Sequence, residues 1–127
     1  KVTDKPLVAK LNSGSAELDA LVLSSIRGGA DAVSLINTLM GPNPELKNKF
    51  GGLSGSPVFP VLCDTLRRVR KMVDVPLLAM GGITGASDIR KLEEIDGGLF
   101  YEIGTSLAEM SSEQIKKYFE QLEKFLL

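Results

Sequence analysis

The chain has 127 residues, of which 43% are hydrophobic and 24% charged, the balance of one globular domain or a piece of one. A formal net charge of -1 gives no electrostatic reason to expect nucleic acid as a partner. No run of about eighteen apolar residues and no signal-peptide pattern occurs, so no transmembrane segment or export is expected.

The composition also restricts the chemistry. Histidine is absent, so the commonest metal ligand and the commonest general base are both missing. The single cysteine, Cys63, cannot form an internal disulfide, and a cytoplasmic location is expected. The chain begins at Lys1 rather than methionine, which processing, engineering and an interior fragment each explain.

In chain order, "PLVAKL" (Pro6 to Leu11) reads as a short strand. "SAELDALVLSSIRGG" follows as a helix, with Ser15 as N-cap, apolar Leu18, Leu21, Val22 and Ile26 at helical spacing, and Gly28-Gly29 as its stop. "ADAVSLIN" is a second strand. A long polar connection from Thr38 to about Ser56 comes next, rich in Gly, Pro, Asn and Lys; such long connections are usually functional or disordered. "PVFPVLCDTLRRVRKMV" is a helix with Pro60 in its first turn and its basic residues largely opposite an apolar stripe that includes Cys63. "VPLLAM" is the third strand and "SDIRKLEEI" the third helix, closed by Gly97-Gly98. "LFYEI" is the fourth strand. The last helix, "SSEQIKKYFEQLEKFLL", opens on a serine cap with Glu113 behind it and carries Ile115, Tyr118, Phe119, Leu122 and Phe125 as its buried stripe.

The pattern βαβαβαβα predicts an α/β fold, a (βα)4 parallel unit with helices covering the sheet. Two architectures satisfy it. A doubly wound open sheet completes itself in about this length, whereas an eight-stranded βα barrel needs about 250 residues, making this chain half of one. In the half-barrel the first and fourth strands are open edges. Periodicity does not choose between them.

Two strands end in bare-backbone turns: "PLLAMGGITG" in Gly81-Gly82 and "LFYEIGTSL" in Gly104-Thr105. Glycine lets amides approach a ligand closely, and an amide-lined turn feeding a helix is a natural anion site. Either turn alone is an ordinary tight turn; the two on neighbouring strands can grip one phosphate.

At this point "VAKL", "SLINT", "KFGGLSG", "MGGITG" and "EIGTSL", in that order, resemble the dihydroorotate dehydrogenase family over nearly the whole chain. The flavin domain of dihydropyrimidine dehydrogenase has a similar set. The resemblance implies an FMN-containing TIM (β/α)8 barrel, residues 1–127 being its C-terminal half, strands five to eight. It implies that Lys10 sits beside the flavin pyrimidine edge, that Ile36 packs near the flavin, and that Gly55 contacts it, with Gly52 and Ser54 as weaker neighbours. It assigns Gly81, Gly82, Gly104 and Thr105 to the FMN phosphate. Asn37 and Thr38 match substrate-binding side chains, and an amide such as Asn37 offers both donor and acceptor to a pyrimidine ring.

The implied activity is oxidation of dihydroorotate to orotate in pyrimidine biosynthesis, with hydride passing from C6 of the substrate to flavin N5. The family's base, a cysteine or serine on the loop after strand four, has no match here, so no catalytic residue is assigned and the chain alone is expected to be inactive. Cys63 reads as a buried structural cysteine, not as that base. Asn12-Ser13 departs from the proline-containing segment frequent in the family. The expected partners are dihydroorotate and orotate, and either the missing N-terminal half-barrel or a second copy. Two rival readings are a non-catalytic phosphate-binding half-barrel, fragment or engineered, and another flavin or sugar-phosphate barrel enzyme.

Overall fold

The computed structural model describes residues 3–12 and 17–126, so the expected cap at Ser15 lies outside the described residues. Along the chain run β1 (Val8–Lys10), α1 (Leu18–Arg27), β2 (Ala32–Leu35), β3 (Leu39–Pro42), β4 (Phe50–Leu53), α2 (Phe59–Arg70), β5 (Leu77–Met80), α3 (Ala86–Glu93), β6 (Phe100–Glu102) and α4 (Ser112–Leu126). Single 3-10 turns, Ser56–Val58 and Thr105–Leu107, precede α2 and α4.

Strand order decides between the two architectures. The parallel sheet runs β1-β2-β5-β6, always onward in the same direction. Right-handed crossovers that never reverse place every helix on one face, whereas a doubly wound sheet reverses at a switch point and covers both. Burial agrees. Val33 and Leu35 of β2 and Leu77 and Ala79 of β5 share one face and are fully buried. They form a single core with Leu18 and Val22 of α1, Leu62, Leu66 and Val69 of α2, Ile89 and Leu92 of α3, and Leu122 of α4. Residues of the alternate register, Lys10, Ser34, Leu78 and Phe100, lie side by side on the other face. There Val8 and Phe100 remain 48% and 61% exposed. A sheet with helices outside and apolar side chains left open inside is the wall of half a βα barrel. Among the described residues, β1 and β6 each pair on one side only.

The connection after β2 is not structureless. β3 and β4 form an antiparallel hairpin, with Leu39 opposite Leu53 and Pro42 opposite Phe50. Asn43 Oδ1 accepts the Glu45 N–H at 3.0 Å and turns the chain at the tip. Polar composition hid the hairpin, although Leu39, Met40, Phe50 and Leu53 flank the tip as apolar pairs.

Capping and ion pairs fix the helices around this sheet. In α4 the cap is Ser111, whose Oγ accepts the Gln114 N–H at 3.3 Å while Gln114 Oε1 accepts the Ser111 N–H at 2.8 Å. This is a reciprocal capping box built on Gln114 rather than on Glu113. The expected apolar stripe of α4 is only partly covered: Leu122 is buried, but Phe119 and Phe125 are exposed. The Arg90 guanidinium lies 4.0 Å from the Phe125 ring centroid and covers that ring from one side. Arg70 at the end of α2 donates to the Val73 and Val75 carbonyls and pairs with Asp96, tying α2 to the entries of β5 and β6. Exposed Arg67 and Arg68 lie opposite the buried stripe, as the pattern predicts.

Leu66 is fully buried at the centre of the α2 stripe. Leu66→Ala is expected to destabilise the fold by about 2–5 kcal/mol, measured by urea denaturation. A loss below about 0.5 kcal/mol would contradict the packing described.

Candidate functional site

The ends of β2, β5 and β6 and the return of the hairpin enclose a cleft of about 190 Å³. Ile36, Asn37 and Thr38 line it after β2, Leu53 to Gly55 after the hairpin, Met80 to Ile83 around the end of β5, and Glu102 to Ser106 around the end of β6. The cleft thus collects Ile36, Asn37, Thr38, Gly55, Gly81, Gly82, Gly104 and Thr105, which the sequence singled out. Lys10 is different. It ends β1 beside Ser34, exposed, in the register opposite the core positions Val33 and Leu35, and it is not among the residues lining the cleft.

The glycines do different work. Gly82 has φ +72°, and a Cβ there would lie 2.6 Å from the Gly55 carbonyl oxygen and 2.7 Å from the Phe59 nitrogen. Backbone therefore packs against backbone, and only glycine allows it. At Gly104 an added Cβ would meet nothing within 4 Å, so that turn opens on the cleft. A side-chain bond joins the two turns: Ser106 Oγ donates to the Ile83 carbonyl at 2.9 Å.

Thr84 closes the first turn from behind. Its N–H and its hydroxyl both donate to Asp88 Oδ2, at 3.0 and 2.7 Å, and its carbonyl accepts the Tyr118 hydroxyl at 3.0 Å. Burial pushes the Tyr118 phenol above its ordinary range, and Asp88 adds in the same direction, so it stays a hydroxyl donor. With Asp88 occupying the first turn of α3, the amides left for a ligand are those further forward. Among the described residues, the N–H groups of Gly82, Ile83, Thr105 and Ser106 donate to no protein acceptor. Unpaired amides on two linked turns, together with the Thr105 hydroxyl, form a donor set that fits a phosphate group.

The sequence reading missed Glu102, Ser34 and Ser106. Among the described residues, Glu102 is the only ionisable one lining the cleft. Its Oε1 accepts the Ser34 hydroxyl at 2.7 Å, and since β5 lies between β2 and β6, the bond spans a strand. The available signal was a carboxylate inside an otherwise apolar strand. Cys63 is buried in the core, and burial is the largest influence raising its thiol above the ordinary range. It is a packing residue, as its stripe position implies.

Two predictions follow from this geometry. A Cβ at Gly52 would lie 2.6 Å from Thr38 Cγ2, so the bare backbone of β4 seats the Thr38 methyl. Gly52→Ala should cost about 1 kcal/mol and shift the Thr38 methyl resonance, and Thr38→Ser in the same background should recover the stability. Additive losses in that double mutant would contradict the contact. Native Cys63 should be alkylated by iodoacetamide at about pH 8.5 at least tenfold more slowly than in urea. Equal rates would place the thiol outside the core.

The dihydroorotate dehydrogenase family model matches residues 1–126. The NAD(+)-dependent dihydroorotate dehydrogenase B catalytic subunit of Pyrococcus horikoshii is 36% identical over 113 residues, covering 84% of this chain and 37% of that protein. Its counterpart from Pyrococcus abyssi is 32% identical over 132 residues, covering 98% of this chain and 44% of that protein. The crystal structure of DHODH in complex with ferulenol from Eimeria tenella superposes with a TM-score of 0.69 at 22% identity, covering 90% of this chain and 33% of that one. The chain therefore spans less than half the length of these relatives. On the family match, its four βα units and the order of its glycine turns, the chain belongs to the dihydroorotate dehydrogenase family.

Proposed function

We propose that this chain is the part of an FMN-dependent dihydroorotate dehydrogenase that holds the cofactor phosphate and one side of the substrate, corresponding to strands five to eight of the barrel. The observation that carries the reading is the cleft itself. Two linked turns with unpaired amides, Gly82-Ile83 and Thr105-Ser106, stand beside Asn37 and Thr38, which offer amide and hydroxyl groups to a pyrimidine. The names of the relatives support the substrate, dihydroorotate, and the product, orotate, and hence a place in pyrimidine biosynthesis.

When bound, FMN supplies the acceptor for the hydride that leaves the substrate. The chain's own residues bind and orient. The turn amides and Thr105 would hold the phosphate and stabilise its charge by hydrogen bonding. Gly55 and Gly81 keep backbone close along the cleft wall, and Ile36 supplies apolar contact to the ring. Asn37 and Thr38 hold the pyrimidine in register. Lys10, on the uncovered face of β1, would place positive charge beside the flavin ring once the remaining barrel wall closes over it. No residue here matches the family's proton-abstracting base, and that group is assigned to the other half. The same reading makes that half-barrel the partner of edges β1 and β6. A cytoplasmic setting belongs to it as well; among the described residues, no helix is long and apolar enough to cross a membrane.

Gly104 offers the clean test. Its φ of -125° and the open space at its Cβ position let Gly104→Asp add a carboxylate at the turn without backbone strain. In the full-length protein this variant should lose at least about 100-fold in FMN affinity, read as flavin retained after gel filtration, with unchanged circular dichroism. Retention equal to the parent would overturn the phosphate assignment. Gly82→Asp is less informative, because its side chain collides with the Gly55 and Phe59 backbone whether or not a ligand binds there.

A further inference from the structure

We infer that Glu102, held in place by Ser34, is the acceptor for the hydroxyl groups of a phosphorylated polyol chain, the ribityl segment when the ligand is FMN; this rests on the phosphate reading above. Among the described residues, Glu102 is the only ionisable side chain lining the cleft, two residues ahead of Gly104 in the second turn. A chain esterified to a phosphate at that turn enters the cleft that Glu102 lines.

The carboxylate is pre-set for this role. Ser34 is 2% exposed, and its hydroxyl donates to Oε1 at 2.7 Å across β5. A carboxylate has about four acceptor positions, and one is used here. Among the described residues the other oxygen, Oε2, has no hydrogen-bond or ion-pair partner. A ligand already carrying negative charge at the neighbouring turn offers neutral donors rather than a cation, and hydroxyls are the donors that a polyol phosphate brings. Because Ser34 fixes the acceptor beforehand, little ordering is left to occur on binding. Ser34 is the positioning residue, and Glu102 touches the ligand.

The test compares two probes on the full-length protein by fluorescence titration: FMN, and a flavin whose phosphate is carried on a plain five-carbon chain without hydroxyls. Glu102→Ala should weaken FMN about 10- to 100-fold while changing the hydroxyl-free probe less than about threefold. Ser34→Ala should produce a smaller loss confined to FMN. Glu102→Gln, which keeps shape and an acceptor oxygen, should restore part of the FMN affinity. Equal losses for both probes in Glu102→Ala would overturn the proposal while leaving the phosphate reading intact. Failure of the parent protein to bind either probe would overturn both.

Discussion

The site depends on one close approach of backbone to backbone. The turn after β5 packs at Gly82 against the Gly55 carbonyl and the first amide of α2, in a space that any side chain would fill. That contact brings the return of the hairpin onto the end of β5. Gly55, with φ +80°, directs the chain into the 3-10 turn and α2, whose stripe of Leu62, Leu66 and Val69 fixes it on the sheet. The Ser106–Ile83 bond then joins the turn after β6 to the same unit. Three segments distant in sequence thus become one surface lined by free amides. For the phosphate site proposed above, rigid placement of this kind matters because backbone donors stabilise an anion best when they do not have to reorganise.

The sheet has two unequal faces. Helix-facing positions such as Val33, Leu35, Leu77 and Ala79 are sealed into the core and supply stability. The other face carries Lys10, Ser34, Met80 and Glu102, the polar and polarisable groups, together with open apolar positions at Val8 and Phe100. In a closed barrel that face is interior. Stability and the proposed ligand contacts therefore fall on alternate residues of the same strands, so a one-residue register shift would exchange them.

Much of this was legible in the sequence. Alternation of apolar runs with amphipathic stripes gave all four βα units, because each strand is apolar enough in sequence to read as a continuous run and each helix shows its periodicity. The glycine turns were legible because Gly81-Gly82 and Gly104-Thr105 follow strands directly. The hairpin was not, since Gly41, Pro42, Asn43 and Gly51 resemble loop chemistry and its pairing is non-local. Phe119 and Phe125 read as core because periodicity reports which face is apolar, not what covers it. The separation of Lys10 from the cleft, and the entry of Glu102 into it, depend on strand register and on a bond spanning β5. The carboxylate inside an apolar strand flags Glu102, but no local pattern encodes that register or that bond.

The central claim is that the cleft recognises a flavin through its phosphate. Isothermal titration of the full-length protein with FMN and with riboflavin, which lacks only that group, tests it most directly. The account predicts that FMN binds at least about 100-fold more tightly, as several charge-assisted hydrogen bonds to one phosphate require. Equal affinity for the two flavins would contradict it.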